Sequence, residues 1–295
     1  MIHMNNLKAH HAEIYSRNTI LGMVNIKPTH IKFLAWLLFS FLVTTGIKAQ
    51  HRDVPFVPTP YETVEEMLKL ADVGPGDYVI DLGSGDGRIV IAAAKRGAYG
   101  HGVDIDPKRI GEAKKNASKA GMDNRVLFVE GNLFETDFSR ASVITMYLLN
   151  SVNMKLRPNL LKNLRPGTRI VSYYFNMNDW EPDKRIEVNN SDIYFWIIPA
   201  QVEGKWNWQT DNRKFAMTAK QEFQKVSLEL KADNANLKVE EPLLSGEKLT
   251  FTAAHPTDGT TYVFSGRVEG NKITGMVQTR KGENFTVENW DAVMN

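Results

Sequence analysis

The stretch Asp81-Leu82-Gly83-Ser84-Gly85-Asp86-Gly87 carries the densest chemical information in the chain. It follows the apolar run Tyr78-Val79-Ile80 and precedes Arg88 to Lys95, whose composition suits a helix. A turn built on glycines leaves the backbone open to a ligand, and the N–H groups at the start of the next helix attract a negative group. A carboxylate follows at Asp104, about 20 residues further on, where a second strand ends and an acidic side chain can bind ribose hydroxyls. Together these features point to a nucleotide-like ligand. Two other readings fit the same residues: a tight strand-to-helix connection beside a solvated strand-end charge, and a dinucleotide site of the NAD type. Against the second, the glycines run G-x-G-x-G, and Arg88 stands where the dinucleotide fingerprint has its third glycine.

The elements that must position this turn alternate along the chain. Glu62 to Ala71 has apolar residues at helical spacing, and Gly74-Pro75-Gly76 breaks it before the strand at Tyr78. A second strand spans Tyr99 to Ile105. Asp106-Pro107 then starts a helix, with Asp106 as cap and Pro107 preset for the first turn, and Gly121 stops it after Ala120. Val126 to Val129 and Ser142 to Leu148 read as strands, Val152 to Leu164 as a helix ended near Pro166-Gly167, and Arg169 to Phe175 as a fifth strand. Strands alternating with helices imply a parallel sheet with right-handed crossovers. Arg185 to Val188 and Ile193 to Ile198, joined through Asn189-Asn190, form an antiparallel hairpin at its end.

From Gln201 the pattern becomes short alternating runs: Val202 to Trp208, Phe215 to Leu230, Lys248 to Ala253, Thr261 to Val268, Lys272 to Gln278 and Phe285 to Ala292. Asp233-Asn234, Ser245-Gly246, Asp258-Gly259 and Gly270-Asn271 separate them, which predicts an antiparallel barrel or sandwich of roughly six to eight strands. Trp206, Trp208 and Trp290 read as core or inter-domain packing, with a ligand cleft as the other use of such aromatics.

A chain of 295 residues, 42% hydrophobic, has room for two domains. The absence of cysteine excludes disulfides, thiolate metal sites and cysteine nucleophiles, and the histidines lack ligand spacing, so no metal site is expected. The formal charge of +2 arises in residues 1–49, where Lys8, Arg17, Lys27, Lys32 and Lys48 face only Glu13; the remainder balances at −2. Such a chain has no electrostatic footprint for nucleic acid. Within the basic N-terminal stretch, the apolar run Phe33 to Ile47 lies between Lys32 and Lys48 and is followed by Ala49. That layout predicts a signal peptide over residues 1–49 and export to the periplasm or outside the cell, with an uncleaved membrane anchor or a buried helix as the alternatives. The export signal is the only membrane contact expected.

Asp81 to Gly87 with Arg88-Ile89-Val90 resembles motif I of the class I S-adenosylmethionine-dependent methyltransferases. The resemblance is closest to the Dot1-like lysine methyltransferases and their short relatives of the mitochondrial ATP-synthase c-subunit type. Further segments carry it in order: Val57-Pro58-Thr59-Pro60, Gly102-Val103-Asp104, Asn132-Leu133-Phe134, Val143 to Asn150, Pro166 to Ser172, and Asp179-Trp180. It covers roughly residues 54–199 and implies a Rossmann-like seven-stranded α/β sheet over residues 50–199, with the small antiparallel β-domain over 200–295. It also implies S-adenosyl-L-methionine as cofactor, with Asp81, Gly83, Ser84, Gly85, Asp86 and Gly87 around the methionine portion and Asp104 on the ribose. Asn132 and Leu133 would flank the adenine, and Thr59 with Pro60 would lie over the cofactor as a lid. Many relatives carry Asp in place of Asn132 and Glu in place of Asp104; both replacements keep a hydrogen-bond acceptor.

Methyl transfer needs a nucleophile with a free lone pair aligned opposite the sulfur, so positioning counts for more than acid–base machinery. A lysine acceptor must shed its proton, which an aromatic, desolvated channel favours. The candidates for that work are Tyr147 and Asn150 after the fourth strand, with Tyr173 and Phe175 lining the substrate side after the fifth. The expected activity is N-methylation of a protein lysine or another amine. An exported binder of a nucleotide-like ligand, whose β-domain recruits a partner, and a small-molecule methyltransferase are the alternatives.

Overall fold

In the computed structural model, residues 56–210 and 213–295 are described; the run Phe33 to Ile47, and with it the signal-peptide reading, lies outside them. Among the described residues no helix is long and apolar enough to cross a membrane. The strands form two sheets. The first has the order β3-β2-β1-β4-β5-β7-β6, built from β1 (Tyr78–Leu82), β2 (Tyr99–Asp104), β3 (Val126–Glu130), β4 (Val143–Met146), β5 (Arg169–Tyr173), β6 (Lys184–Val188) and β7 (Ser191–Ile197). The pairs β1–β2, β1–β4, β2–β3 and β4–β5 are parallel, whereas β7 runs antiparallel to both β5 and β6. Asn189 and Asn190 take φ of 52° and 58° in the β6–β7 turn, the left-handed pair that a tight hairpin requires.

Successive residues of the inner strands feed opposite cores, because side chains alternate across a sheet. Ile80, Ile144 and Ile170 join one cluster with Leu156, Leu160 and Trp196. Their neighbours Val79, Val143 and Val171 join the other with Val64, Met67 and Leu68. Burial on both faces explains why β1 and β4 are mostly apolar, broken only by the hydrogen-bonded pair Asp81 and Thr145. The helices that cover these faces are α1 (Tyr61–Leu70), α2 (Arg88–Lys95), α3 (Pro107–Lys119) and α4 (Asn150–Asn163). Asp106 caps α3 by accepting from the Lys108 N–H at 3.0 Å, with Pro107 in the first turn. Since β1 lies between β2 and β4, chain connections leave it in opposite directions, which opens a crevice at the carboxyl ends of β1 and β4.

The second sheet is a closed eight-stranded antiparallel barrel, which decides between the barrel and sandwich forms. Its strands are β8 (Gly204–Gln209), β9 (Lys214–Glu222), β10 (Lys225–Ala232), β11 (Ala235–Ser245), β12 (Lys248–Ala254), β13 (Thr260–Glu269), β14 (Lys272–Lys281) and β15 (Asn284–Met294). Val293 opposite Asn207 and Met294 opposite Trp206 close it. Trp206, Trp208 and Trp290 are buried with Phe215, Phe251 and Phe264 in the barrel core rather than in a cleft. Two readings of the sequence are corrected. The run Phe215 to Leu230 is two strands that reverse at Phe223-Gln224, and Ala235–Ser245 is a strand of its own.

Candidate active site

After β1 the chain turns through Gly83, Gly85 and Gly87 with φ of 81°, 52° and 80°, all in the left-handed region that favours glycine. The N–H groups of Gly83 and Ser84 both donate to the Val103 carbonyl at 2.9 Å, which fastens the turn to the end of β2. The Gly85 N–H donates to Asp104 Oδ2 at 2.8 Å, and Asp104 Oδ1 accepts from the Asp106 N–H at 2.9 Å. Each carboxylate oxygen has a second acceptor direction, so Asp104 is held rigidly and can still take hydroxyl donors. The turn and the carboxylate therefore face one place.

That place is a cavity of about 570 Å³, within the range of sites for small ligands. Asp81, Gly83, Ser84, Asp86 and Asp104 line one side, and Asn132 and Leu133 another. Gly85 and Gly87 do not line it. A Cβ on Gly85 would stand 2.2 Å from the Phe56 ring, and one on Gly87 2.5 Å from Phe128 and 2.9 Å from Ala113. These two glycines serve backbone conformation and close packing, which corrects the view that all three open the backbone to a ligand.

Asp81 is buried, and its Oδ1 accepts from Thr145 Oγ1 at 2.8 Å. Desolvation pushes its pKa up to about 7; the Thr145 bond opposes this, and the nearby Asp104 and Asp86 charges add to it. Burial also raises the Asp86 carboxyl, but Arg88, paired with it at 2.6 Å, outweighs burial and holds it below its ordinary value. Ser84 Oγ is buried with no hydrogen-bond partner among the described residues. Asn132 caps its own turn, accepting from the Phe134 N–H at 3.0 Å.

The segment before α1 crosses the cavity mouth. Thr59 is buried and lines the cavity, and its carbonyl accepts from Arg88 at 2.7 Å. The guanidinium of Arg88 also covers the Tyr61 ring at 4.9 Å, and that of Arg109 covers Phe56 at 4.1 Å. Two arginines thus pin the strap. Neither the role of Arg88 nor that of Arg109 is readable from sequence spacing, because both act on a segment distant along the chain.

Tyr147 lines the cavity, with its ring 4.6 Å from Tyr173 and 6.4 Å from Phe175. Burial, followed by the neighbouring Tyr173 and Tyr174, raises the pKa of its phenol. Tyr174, which sequence reasoning missed, lies 4.9 Å from Phe175 and has a φ of 70°, a backbone state uncommon for an aromatic residue. Of the four acceptor-side candidates only Tyr147 lines the cavity; Tyr173 and Phe175 stand behind it, and Asn150 is turned to another task. Its amide donates to the Asn176 carbonyl at 3.2 Å and to the side-chain oxygens of Asn176 and Asn178 at 3.0 Å, so it organises the loop after β5.

A family model described as the ANTKMT methyltransferase domain matches residues 81–184. A protein-lysine N-methyltransferase of Saccharolobus islandicus is 46% identical over 151 residues, covering 49% of this chain and 94% of that protein. The human lysine N-methyltransferase of the ATP-synthase c-subunit is 31% identical over 130 residues, covering 44% of this chain and 55% of that protein. The chain thus spans about half the length of this second relative. Among solved structures, an RNA methyltransferase of Salinibacter ruber in complex with S-adenosyl-L-homocysteine is 51% identical, covering 50% of this chain and 96% of that one, with a TM-score of 0.49.

Proposed function

Because the chain belongs to the class I S-adenosylmethionine-dependent methyltransferases, in the group that includes protein-lysine N-methyltransferases, we propose that it methylates the side-chain amine of a protein lysine. The observation that carries the acceptor side is the aromatic group of Tyr147, Tyr173, Tyr174 and Phe175, which begins at the cavity wall and ends in the exposed Tyr174.

The cavity fits the cofactor. S-adenosyl-L-methionine has hydroxyls that match the remaining acceptor directions of Asp104, an ammonium that matches Asp81, and a carboxylate that matches the partnerless hydroxyl of Ser84. Asn132 and Leu133 offer the adenine a polar edge and an apolar contact, and Thr59 closes the opposite side. When bound, the cofactor supplies an electrophilic methyl group on a positively charged sulfur.

The protein's own residues prepare the amine. Aromatic walls remove water from an entering lysine and so favour the neutral amine whose lone pair is the nucleophile. The raised pKa of Tyr147 keeps its phenol protonated at neutral pH, so it is no base, and it contributes its ring to the aromatic wall. The proton of the lysine therefore leaves to solvent before the amine is enclosed. Alignment is the larger contribution, since holding two reactants in line replaces an encounter in solution.

The place of action follows from the N-terminal run: we assign the enzyme to the cell envelope or exterior, with the signal peptide over residues 1–49 directing export. The test is transfer of labelled methyl from S-adenosylmethionine, catalysed by the full-length protein, to cell-envelope extract, followed by hydrolysis and amino-acid analysis. Label in methylated lysine is the expected result. Label in RNA or in small molecules would replace the acceptor, and cofactor binding without label anywhere would leave a binding protein.

A further inference from the structure

The loop after β5, residues 174–183, continues directly from the aromatic wall, and two different parts of the protein hold it. From within the methyltransferase sheet, Ser172 Oγ donates to the Phe175 carbonyl at 2.6 Å. The buried Asn153 amide donates to the carbonyls of Phe175 and Asn176 at 3.2 and 3.3 Å, and Arg157 donates to that of Met177 at 2.9 Å. From the barrel, the tip of the β9–β10 hairpin reaches the same loop. Trp180 Nε1 donates to Gln224 Oε1, and Gln224 Nε2 donates to the Glu181 carbonyl, both at 2.8 Å. One amide thus satisfies two groups of the loop.

Beside it, the Phe223 ring lies 5.7 Å from the fully buried Trp180 with an interplanar angle of 18°, and the Arg157 guanidinium covers it at 5.2 Å. Phe223 packs with the methyltransferase core rather than with the barrel's own. Its backbone supports a specific purpose. The hairpin turns in two residues between Glu222 and Lys225, and Phe223 takes a φ of 55°, in a turn position where glycine is ordinarily preferred. A bulky residue in that conformation persists only where its surroundings over-determine it. Here those surroundings are Trp180 and Arg157.

We propose that Phe223 and Gln224 are positioning residues: the barrel, through this hairpin tip, fixes the loop from Tyr174 to Glu181 and so sets the aromatic wall beside Tyr147. The significance for catalysis rests on reading that wall as the acceptor side. The holding of the loop does not, and the experiment separates the two.

The full-length protein is compared with Phe223→Gly, Gln224→Ala and the conservative Phe223→Tyr. Glycine suits the left-handed turn, so Phe223→Gly removes the ring and leaves the hairpin able to form. Hydrogen exchange is read by mass spectrometry, peptide by peptide. Exchange in 174–181 is expected to rise about tenfold or more in the first two variants and to stay at the wild-type rate in Phe223→Tyr, with peptides over 81–87 unchanged. S-adenosylmethionine affinity stays within about twofold, while labelled-methyl transfer to envelope extract falls about tenfold or more, as expected when a distant change shifts reacting geometry. Unchanged exchange in 174–181 overturns the proposal. So does a loosened loop with undiminished transfer, or equal losses in the loop, the glycine turn and cofactor affinity, which would mark general destabilisation. If the wild type labels no protein at all, the lysine reading fails, and exchange still decides whether the hairpin holds the loop.

Discussion

Replacing Asp81 by asparagine should stabilise the cofactor-free protein at pH 8 and cripple cofactor binding. Burial lifts this carboxyl from 3.8 in the unfolded chain to about 7 in the fold. Below pH 3.8 both states carry the proton, and the site imposes no penalty. Between pH 4 and 7 the unfolded chain ionises while the folded one does not, so stability falls as pH rises, and above 7 the loss is complete. At about 1.4 kcal/mol per pKa unit, the full loss is about 4 kcal/mol. Asparagine keeps an oxygen for Thr145 Oγ1 and carries no charge, but its amide protons need partners, so the net gain at pH 8 is about 2–4 kcal/mol. For a domain of this size that raises Tm by roughly 4–16 °C, while at pH 4 the two proteins should melt within a few degrees of each other. Calorimetric melts of both proteins from pH 4 to 9 isolate the site, because titrating groups that do not interact with Asp81 cancel in the difference, leaving Asp81 and its neighbours Asp104 and Asp86. Binding runs the other way: loss of a charge-assisted bond to the cofactor's ammonium weakens affinity by roughly 10- to 150-fold. Wild-type affinity should climb with pH up to about 7 and then level off, because the bound cation selects the ionised carboxyl. Equal melting differences at pH 4 and pH 8 would refute the reasoning, since Asp81 would then not be held protonated by burial.

Three further substitutions address the rest of the site. Asp104→Ala removes an acceptor for the ribose and strands the N–H groups of Gly85 and Asp106, so calorimetry should show S-adenosylmethionine binding weaker by about 1–3 kcal/mol; unchanged affinity would take Asp104 out of the site. Tyr147→Phe keeps the ring against Tyr173 and should retain transfer within a few-fold, whereas Tyr147→Ala should lower kcat/KM for the acceptor about tenfold or more; equal losses would assign the work to the hydroxyl. Asn150→Ala should cost about 1–2 kcal/mol in thermal unfolding through the loosened Asn176–Asn178 loop, with cofactor affinity unchanged; weaker binding would return Asn150 to the cavity.

The parts of the fold that local chemistry controls are legible in the sequence. Ile80 and Val79 already face opposite cores by the period of a strand, and Asp106-Pro107 announces α3 because a cap and a preset φ act within one turn. The union of the glycine turn with Asp104 follows from parallel pairing of β1 and β2, which brings their carboxyl ends together. What escapes notice depends on distant partners. Phe223 carries no turn signal, since its left-handed conformation is stabilised by Trp180 and Arg157, far away in the chain. Strand β11 is masked because a bulge between Glu240 and Leu243, with Glu241 at φ 52° followed by Pro242, breaks the alternation. Asn150 follows the aromatic strand end and so suggests a substrate contact, but the start of α4 aims its amide toward Asn176.

Closure of the barrel through β8 and β15 limits how other molecules can attach. The ring is paired unevenly: β10 meets β11 through three residue pairs and β15 meets β8 through two, so a foreign strand can add only at those short gaps. Among the described residues, edges open along their whole length belong to β3 and β6, at the two flanks of the other sheet. An extended peptide that seeks main-chain pairing can use those flanks or the gap between β10 and β11, and anything else that recognises the barrel must do so through its outward side chains and its turns.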